Sequence, residues 1–131
     1  MAERFSYPLT AALADIDDLG HVSNLVYLRW VLEAATAHST ARGWGQAEYL
    51  ALGSVWVVRR HELDYLAQVT AGQSLVAETW VDSFKGASCV RKTEILRDGV
   101  VVARCATTWA FMSMSSGKPV RIADVVLAAF T

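Results

Sequence analysis

Only two cysteines, Cys89 and Cys105, occur in 131 residues. They are too few for a metal cluster and are not spaced as a metal-binding or redox CxxC pair, so they read as buried thiols. No uninterrupted apolar stretch approaches the ~20 residues needed to cross a bilayer. The N-terminal stretch starts with Glu3 and Arg4 and has no apolar signal segment, which leads to the expectation of a cytoplasmic address. The 12 basic and 13 acidic side chains leave a net charge of -1 with no long run of either sign, which argues against a dedicated nucleic-acid binder. Internal repeats, linkers and low-complexity tracts are also missing, so 1–131 is expected to be one domain.

What the chain has in quantity is apolar surface. Hydrophobic residues make up 53% and charged ones 19%, enough to bury a substantial core and too apolar for intrinsic disorder. A mean hydropathy of +0.28 is high for a small domain, whose large surface-to-volume ratio favours polarity. Part of that surface is therefore expected to be covered by another subunit.

Along 23–43, Arg29, Glu33, Thr36 and Thr40 recur at intervals of four, three and four, which places them on one face of a helix. Almost everything else around the circumference is apolar, a wider arc than a surface helix needs, so this helix must be enclosed on most sides. Ser23 or Asn24 can cap its start, and Gly43 can end it in the left-handed conformation. Arg29 and Glu33 are expected to pair along the exposed stripe, for about 0.3 kcal/mol.

From Val55 onward, β-branched and aromatic residues between turn signals predict strands over 55–66, 74–84, 88–97 and 100–114. Asp98-Gly99 tolerates positive φ at both positions of a two-residue hairpin loop, so the last two strands are antiparallel. The register this turn sets would pair Cys89 with Thr108 and Cys105 with Lys92. The thiols would then sit roughly 10 Å apart along the strands, too far for a disulfide. A short strand near 5–9, a short helix near 46–52 and a C-terminal helix over 122–130, after the break at Lys118-Pro119, complete the pattern. One long apolar helix and four antiparallel strands are best satisfied by a curved sheet wrapped around that helix, an α+β arrangement. Pattern alone leaves open which sheet face meets it, because Lys92 and Glu94 share a face with Val90 and Leu96.

Asp15, Asp17 and Asp18 precede Leu19-Gly20-His21-Val22-Ser23-Asn24 at the helix start. Unpaired N–H groups and the positive end of the helix dipole suit an anion or a developing oxyanion there. A neighbouring carboxylate could attack a carbonyl held at that point or deprotonate a water, the minimum equipment for acyl transfer. The same residues also fit a local role, with aspartate as cap and glycine as tight turn.

Asp17-x-x-Gly20-His21-Val22-x-Asn24-x-x-Tyr27-x-x-Trp30 resembles the signature of the hot-dog-fold acyl-CoA thioesterases, in the branch of 4-hydroxybenzoyl-CoA thioesterase. Val58-Arg59-Arg60-x-Glu62-Leu63-Asp64-Tyr65, Gly72-Gln73-x-Leu75, Thr93-Glu94-Ile95, Ala103-Arg104 and Ala106-Thr107-Thr108 extend the likeness over most of the chain. The resemblance implies a hot-dog fold, an antiparallel sheet wrapped around a long central helix. It also implies a homodimer that can pair into a tetramer, with active sites at the dimer interface. The implied activity is hydrolysis of an acyl-CoA thioester to free acid and coenzyme A, with no metal or redox cofactor and coenzyme A present only as part of the substrate.

Asp17 resembles the family's catalytic carboxylate, acting as nucleophile or general base. Gly20, His21 and Val22 would frame the thioester carbonyl, with a backbone N–H of this turn as oxyanion donor. Asn24 would cap the helix or hold the loop, Tyr27 would pack the pocket wall, and Glu62 is a second candidate carboxylate on a strand. The phosphates of coenzyme A need basic partners, for which Arg59, Arg60, Lys85, Arg91 and Lys92 are candidates. Lys85-Gly86-Ala87-Ser88 lies where the family contacts the nucleotide or pantetheine arm. Ser23 and Gln73 stand where the family often has asparagine and aspartate, which leaves the subfamily open. The alternatives are an acyl-carrier-protein thioesterase on the same scaffold and a non-catalytic acyl-CoA binding module. A hot-dog dehydratase is disfavoured, because His21 is the only histidine near the turn.

Overall fold

Five strands form one antiparallel sheet in the order β1-β3-β4-β5-β2, in a computed structural model that describes residues 3–131; Met1 and Ala2 lie outside the described residues. The strands are β1 (Phe5–Thr10), β2 (Ser54–Tyr65), β3 (Ser74–Lys85), β4 (Ser88–Arg97) and β5 (Val100–Ser113). The helices are α1 (Asn24–Ala41), α2 (Gln46–Leu52) and α3 (Asp124–Phe130). Helix α3 is shorter than the expected 122–130, because Ile122 donates its N–H to the Gly86 carbonyl (3.1 Å) and is held by the β3–β4 turn instead of a helix.

Sheet burial settles the face that pattern left open. Leu75, Ala77, Thr79 and Val81 of β3 and Cys89, Arg91, Thr93 and Ile95 of β4 point inward and are buried, so Lys92 and Glu94 with Val90 and Leu96 form the outer side. Helix α1 answers with Val26, Tyr27, Trp30, Val31, Ala34, Ala35 and His38. The core divides along this helix. One cluster surrounds its first half with Val26, Trp30, Leu75 and Ile95, and a second lies beyond its end with Tyr49, Val81, Phe111, Val126 and Phe130.

Two expectations change, on the enclosure of α1 and the β4–β5 register, and a third is met with an addition. The helix is covered on one side by its own sheet, while Leu25 stays 70% and Leu32 37% exposed in a stripe with Arg29, Thr36 and Thr40. A single chain therefore does not enclose it on most sides. The predicted Arg29–Glu33 pair is present at 3.5 Å, but Arg29 makes a shorter bond of 2.8 Å to Asp15. The β4–β5 register also slips by one. Asp98 and Gly99 do take positive φ, of 52° and 79°. Pairing runs Arg97↔Val100 and Leu96↔Val101, and then a bulge at Val102 makes Ile95 face Ala103. Cys89 consequently lies opposite Trp109, and Cys105 opposite Thr93. The bulge frees the Val102 carbonyl, which accepts the N–H groups of Leu66 (2.9 Å) and Ala67 (3.1 Å) just after β2. It also explains why consecutive residues, Val102 and Ala103, are both fully buried. Both cysteines are free and buried, as expected.

Candidate active site

Of the three aspartates that precede α1, Asp15 is fully engaged. It closes a single 3-10 turn (Leu13–Asp15), accepts the Ala12 N–H through Oδ2 (2.9 Å) and receives Arg29 Nη2 on Oδ1 (2.8 Å). The Arg29 hydrogen bond holds its carboxyl below the usual range. Its backbone carbonyl takes the Ser23 N–H (2.9 Å), which fixes the entry to the helix. Ser23 is the cap: its Oγ accepts from Leu25 at 3.4 Å.

Asp17 is held differently. Ile16 and Val22 form an antiparallel bridge that pinches the intervening segment into a tight loop, with the Asp17 N–H bonded to the His21 carbonyl (2.8 Å). Gly20 closes the loop at φ +83°, a conformation in which a side chain would be strained. Inside it, Asp17 Oδ1 accepts from the N–H of Leu19 (2.9 Å) and, more weakly, of His21 (3.4 Å). Oδ2 has no hydrogen-bond partner among the described residues. The loop thus orients an exposed carboxylate and leaves one oxygen available.

Asp17 lines a crevice of about 490 Å³ together with His21, Val22, Asn24, Tyr27 and Tyr65, among others. Its wall is rigid: the Tyr27 ring meets Trp30 and Tyr65 edge-on at 5.3 and 5.2 Å, and Tyr65 Oη donates to the Asn24 carbonyl (3.1 Å). Burial pushes the Tyr27 and Tyr65 phenols up, so both keep their protons.

The structure therefore brings Asp17, His21, Val22, Asn24 and Tyr27 together around one crevice, with Gly20 in the turn behind it. Of the turn's donors, Gly20 N–H bonds the Asp17 carbonyl (3.0 Å) and Val22 N–H bonds the Val69 carbonyl (2.8 Å), so both are spent. The donors left are His21 N–H, with only its long bond to Asp17 Oδ1 (3.4 Å), and the first turn of α1, where Asn24 N–H has no partner among the described residues and Leu25 N–H has only the long bond to Ser23 (3.4 Å).

Among the basic candidates, Arg91 is buried on the inner sheet face and cannot meet a phosphate at a cleft mouth. Arg59 is exposed and rests on the Met112 sulfur (3.7 Å). Arg60 is exposed and pairs with Glu62 (3.3 Å), and Lys92 pairs with Asp82 (3.7 Å). Glu62 is exposed beside Arg60 and does not line the crevice of its own chain. Lys85, Gly86 and Ser88 sit at the far end of β3, whereas the loop with Asp17 packs near its Ser74 end, through Val22 on Val69 and Ala11 on Gln73. A 12-residue strand is roughly 35 Å long, so these two regions cannot share a small ligand within one chain.

Sequence reading missed a second cavity, of about 290 Å³, against the C-terminal half of α1, where Ala35, Thr36, Ser39 and Thr40 line it. Its lining includes Trp44, Tyr49, Trp56, Phe84, Trp109 and Arg91. A hydrogen-bond chain braces it: Ser39 Oγ donates to the Trp44 carbonyl (2.6 Å) and lies 3.0 Å from Tyr49 Oη, which receives Trp56 Nε1 (3.1 Å). The only available signal was Arg91 on the same strand parity as Cys89 and Ile95, a placement that becomes visible once the sheet face is known. Among the described residues no cluster of three His, Cys, Asp or Glu side chains could hold a metal ion, and no helix is long and apolar enough to cross a membrane.

Known proteins share both the sequence and this architecture. The acyl-CoA thioesterase YbgC of Haemophilus influenzae is 26% identical over 127 residues, covering 96% of this chain and 93% of that protein. Among solved structures, the 1,4-dihydroxy-2-naphthoyl-CoA thioesterase Slr0204 of Synechocystis superposes with a TM-score of 0.88 at 18% identity, covering 97% of this chain and 95% of the other. The DHNA-CoA thioesterase of Staphylococcus aureus does so with a TM-score of 0.83 at 20% identity, over 90% and 80%. These superpositions establish the hot-dog fold expected from the sequence, with its sheet curved around α1. The profile described as Thioesterase-like superfamily matches residues 11–130, so that the chain belongs to this superfamily.

Proposed function

We propose that the protein hydrolyses acyl-CoA thioesters, with Asp17 as the reacting carboxylate. The observation that carries this reading is the loop hydrogen bonding, which fixes Asp17 through Oδ1 and leaves Oδ2 free at a crevice beside the start of an 18-residue helix. A thioester carbonyl seated there would receive the N–H groups of Asn24 and Leu25, at the positive end of the helix dipole. Oδ2 would then either attack the carbonyl carbon or take a proton from the water that does. On the first route the C–S bond breaks to give an acyl-Asp17 anhydride and a thiolate, and a water then hydrolyses the anhydride to the free acid and supplies the thiolate's proton. On the second the water oxygen displaces the thiol directly and Asp17 passes the proton it took to the sulfur, so either route consumes one water. The family named on the YbgC relative supports coenzyme A as the thiol carrier.

We also infer a homodimer as the working unit. Leu25 and Leu32 stay exposed along α1, and the Lys85-Gly86-Ala87-Ser88 turn lies too far from Asp17 to serve the same chain's crevice. A second copy would supply the basic turn to the coenzyme A phosphates, and would cover the apolar stripe. No metal or redox cofactor is needed for this chemistry.

The test is hydrolysis of a panel of acyl-CoAs, short, long and aromatic, followed by thiol release. Asp17→Asn should lower kcat/KM by about 10²–10⁴-fold on the best substrate, while the melting temperature is kept. A mutant equal to the wild type would overturn the assignment. Tight binding of acyl-CoA without turnover would show a binding module, and turnover confined to carrier-protein thioesters would move the substrate class.

A further inference from the structure

The cavity against the C-terminal half of α1 is walled with aromatic rings yet contains a guanidinium. Arg91 is 6% exposed, and its Nη1 lies 2.9 Å from His38 Nδ1 and 3.2 Å from Thr79 Oγ1. Those two bonds use both Nη1 protons. The Nε proton and the two Nη2 protons have no partner among the described residues, and no carboxylate there lies within ion-pair distance of Arg91. The free Nε/Nη2 edge is the side of a guanidinium that receives a carboxylate through two parallel hydrogen bonds. His38 cannot act as counter-ion: it accepts the Arg91 proton as a neutral ring, which its burial favours. The free edge of Arg91 is a cation among apolar side chains, offset within the described residues only by the ring of Phe130 at 5.8 Å, a setting that favours the arrival of an anion.

We propose that this cavity binds the carboxylate of an apolar monocarboxylic acid, seated on the Nε/Nη2 edge of Arg91, with its hydrocarbon part among Trp56, Phe84 and Trp109. The volume of about 290 Å³ is roughly twice that of the ~150 Å³ cavity that takes a benzene ring, which suits a substituted aryl or medium-chain alkyl acid. The site is distinct from the crevice of its own chain: no residue lines both, and Tyr27 and Ala35, the lining residues that come nearest along α1, are eight residues or about 12 Å apart. The carboxylate has two sources. It is a free acid such as a hydrolysis product, or it is the far end of an acyl group that carries a second carboxyl.

Trp44, Trp56 and Trp109 line the cavity, so intrinsic fluorescence reports its filling. Octanoate and 4-phenylbutyrate are titrated into the wild type beside octanamide and 4-phenylbutyramide. The acids should bind about 10-fold or more tightly than the amides, since only the acids offer two charged acceptors. Ala35→Leu, which fills the cavity from the inner face of α1, should abolish the signal, and Arg91→Gln should make acid and amide equal. Equal binding of acid and amide by the wild type, or no binding, overturns the proposal even if Arg91→Gln does not fold. Hydrolysis kinetics separate the sources. If the second carboxyl of an acyl group is the ligand, Arg91→Gln raises KM for an ω-carboxyacyl-CoA and leaves the plain acyl-CoA unchanged. If free acid is the ligand, both KM values stay and only inhibition by added acid is lost. Acid binding persists when Asp17→Asn is made, so failure of this site and failure of the hydrolytic reading are independent results.

Discussion

At the start of α1, the polar groups of the approach loop are paired with neighbours a few residues away, as Asp17 is with Leu19 and His21 and Asp15 is with Ala12. At its end the pairing is remote: His38 meets Arg91, 53 residues on, and Tyr49 joins Ser39 to Trp56. The first region is open, and its carboxylate stands in water. The second is half-open, and its buried cation stands among rings. The loop at the start is therefore held by short-range bonds between carboxylates and backbone N–H groups. At the end, each buried polar group is tied to stability, because water cannot replace a lost partner.

This contrast is sharpest in acid. Burial, with the charge of Arg91 beside it, pushes the His38 pKa down from 6.5 to about 4. The folded state thus refuses a proton that the unfolded chain accepts. Stability is intact above pH 6.5, declines as pH falls through the window, and the loss is complete below about 4, amounting to roughly 3 kcal/mol. Urea unfolding at pH 7, 5.5 and 4 reads this directly. His61, whose pKa burial also lowers, adds to the same slope, so the informative quantity is the difference between the wild type and His38→Gln. Glutamine keeps an acceptor for Arg91 and has no proton to gain. A variant as acid-sensitive as the wild type would remove His38 from the account.

The same contrast decides what could be read from the sequence. Strand bounds came within a residue or so, because alternation and the Asp98-Gly99 turn are local signals. So was the cluster around Asp17, where carboxylate, glycine and helix start are adjacent in the chain. The Val102 bulge was not legible, since it is set by Leu66 and Ala67 reaching its carbonyl from another strand's end. Nor was the burial of Arg91, which reads as a surface cation until Cys89, Thr93 and Ile95 identify the inner face of β4. The state of the turn's donors was not legible for a related reason: Gly20 and Val22 spend their N–H groups on the carbonyls of Asp17 and Val69, and composition does not reveal which donors are left.

Within the N-terminal region, the two carboxylates should separate in a stability measurement. Asp15→Asn removes the charge that holds Arg29 and weakens the acceptor of the Ala12 N–H. With Arg29 half exposed, the loss is expected at about 1–2 kcal/mol. Asp17→Asn keeps an oxygen for the loop N–H groups and should stay within about 0.5 kcal/mol. Thermal melts of the two variants side by side check this. A large loss for Asp17→Asn would mean that its carboxylate is structural, and that the loop is not the independent scaffold described above.

The smallest effect concerns Glu33, the partner that helix periodicity picks for Arg29. Its 3.5 Å contact competes with the 2.8 Å bond from Asp15, which is buried while Glu33 is 41% exposed. An i,i+4 pair with the arginine first is the weaker orientation, so Glu33→Gln should cost about 0.3 kcal/mol at low salt and nothing measurable at 1 M salt. Asp15→Asn should keep most of its effect under the same salt, because its oxygens are shielded by burial. Urea midpoints at the two salt concentrations measure both. An equal salt response would show that Arg29 holds the entry loop by general charge attraction and not through the short bond to Asp15.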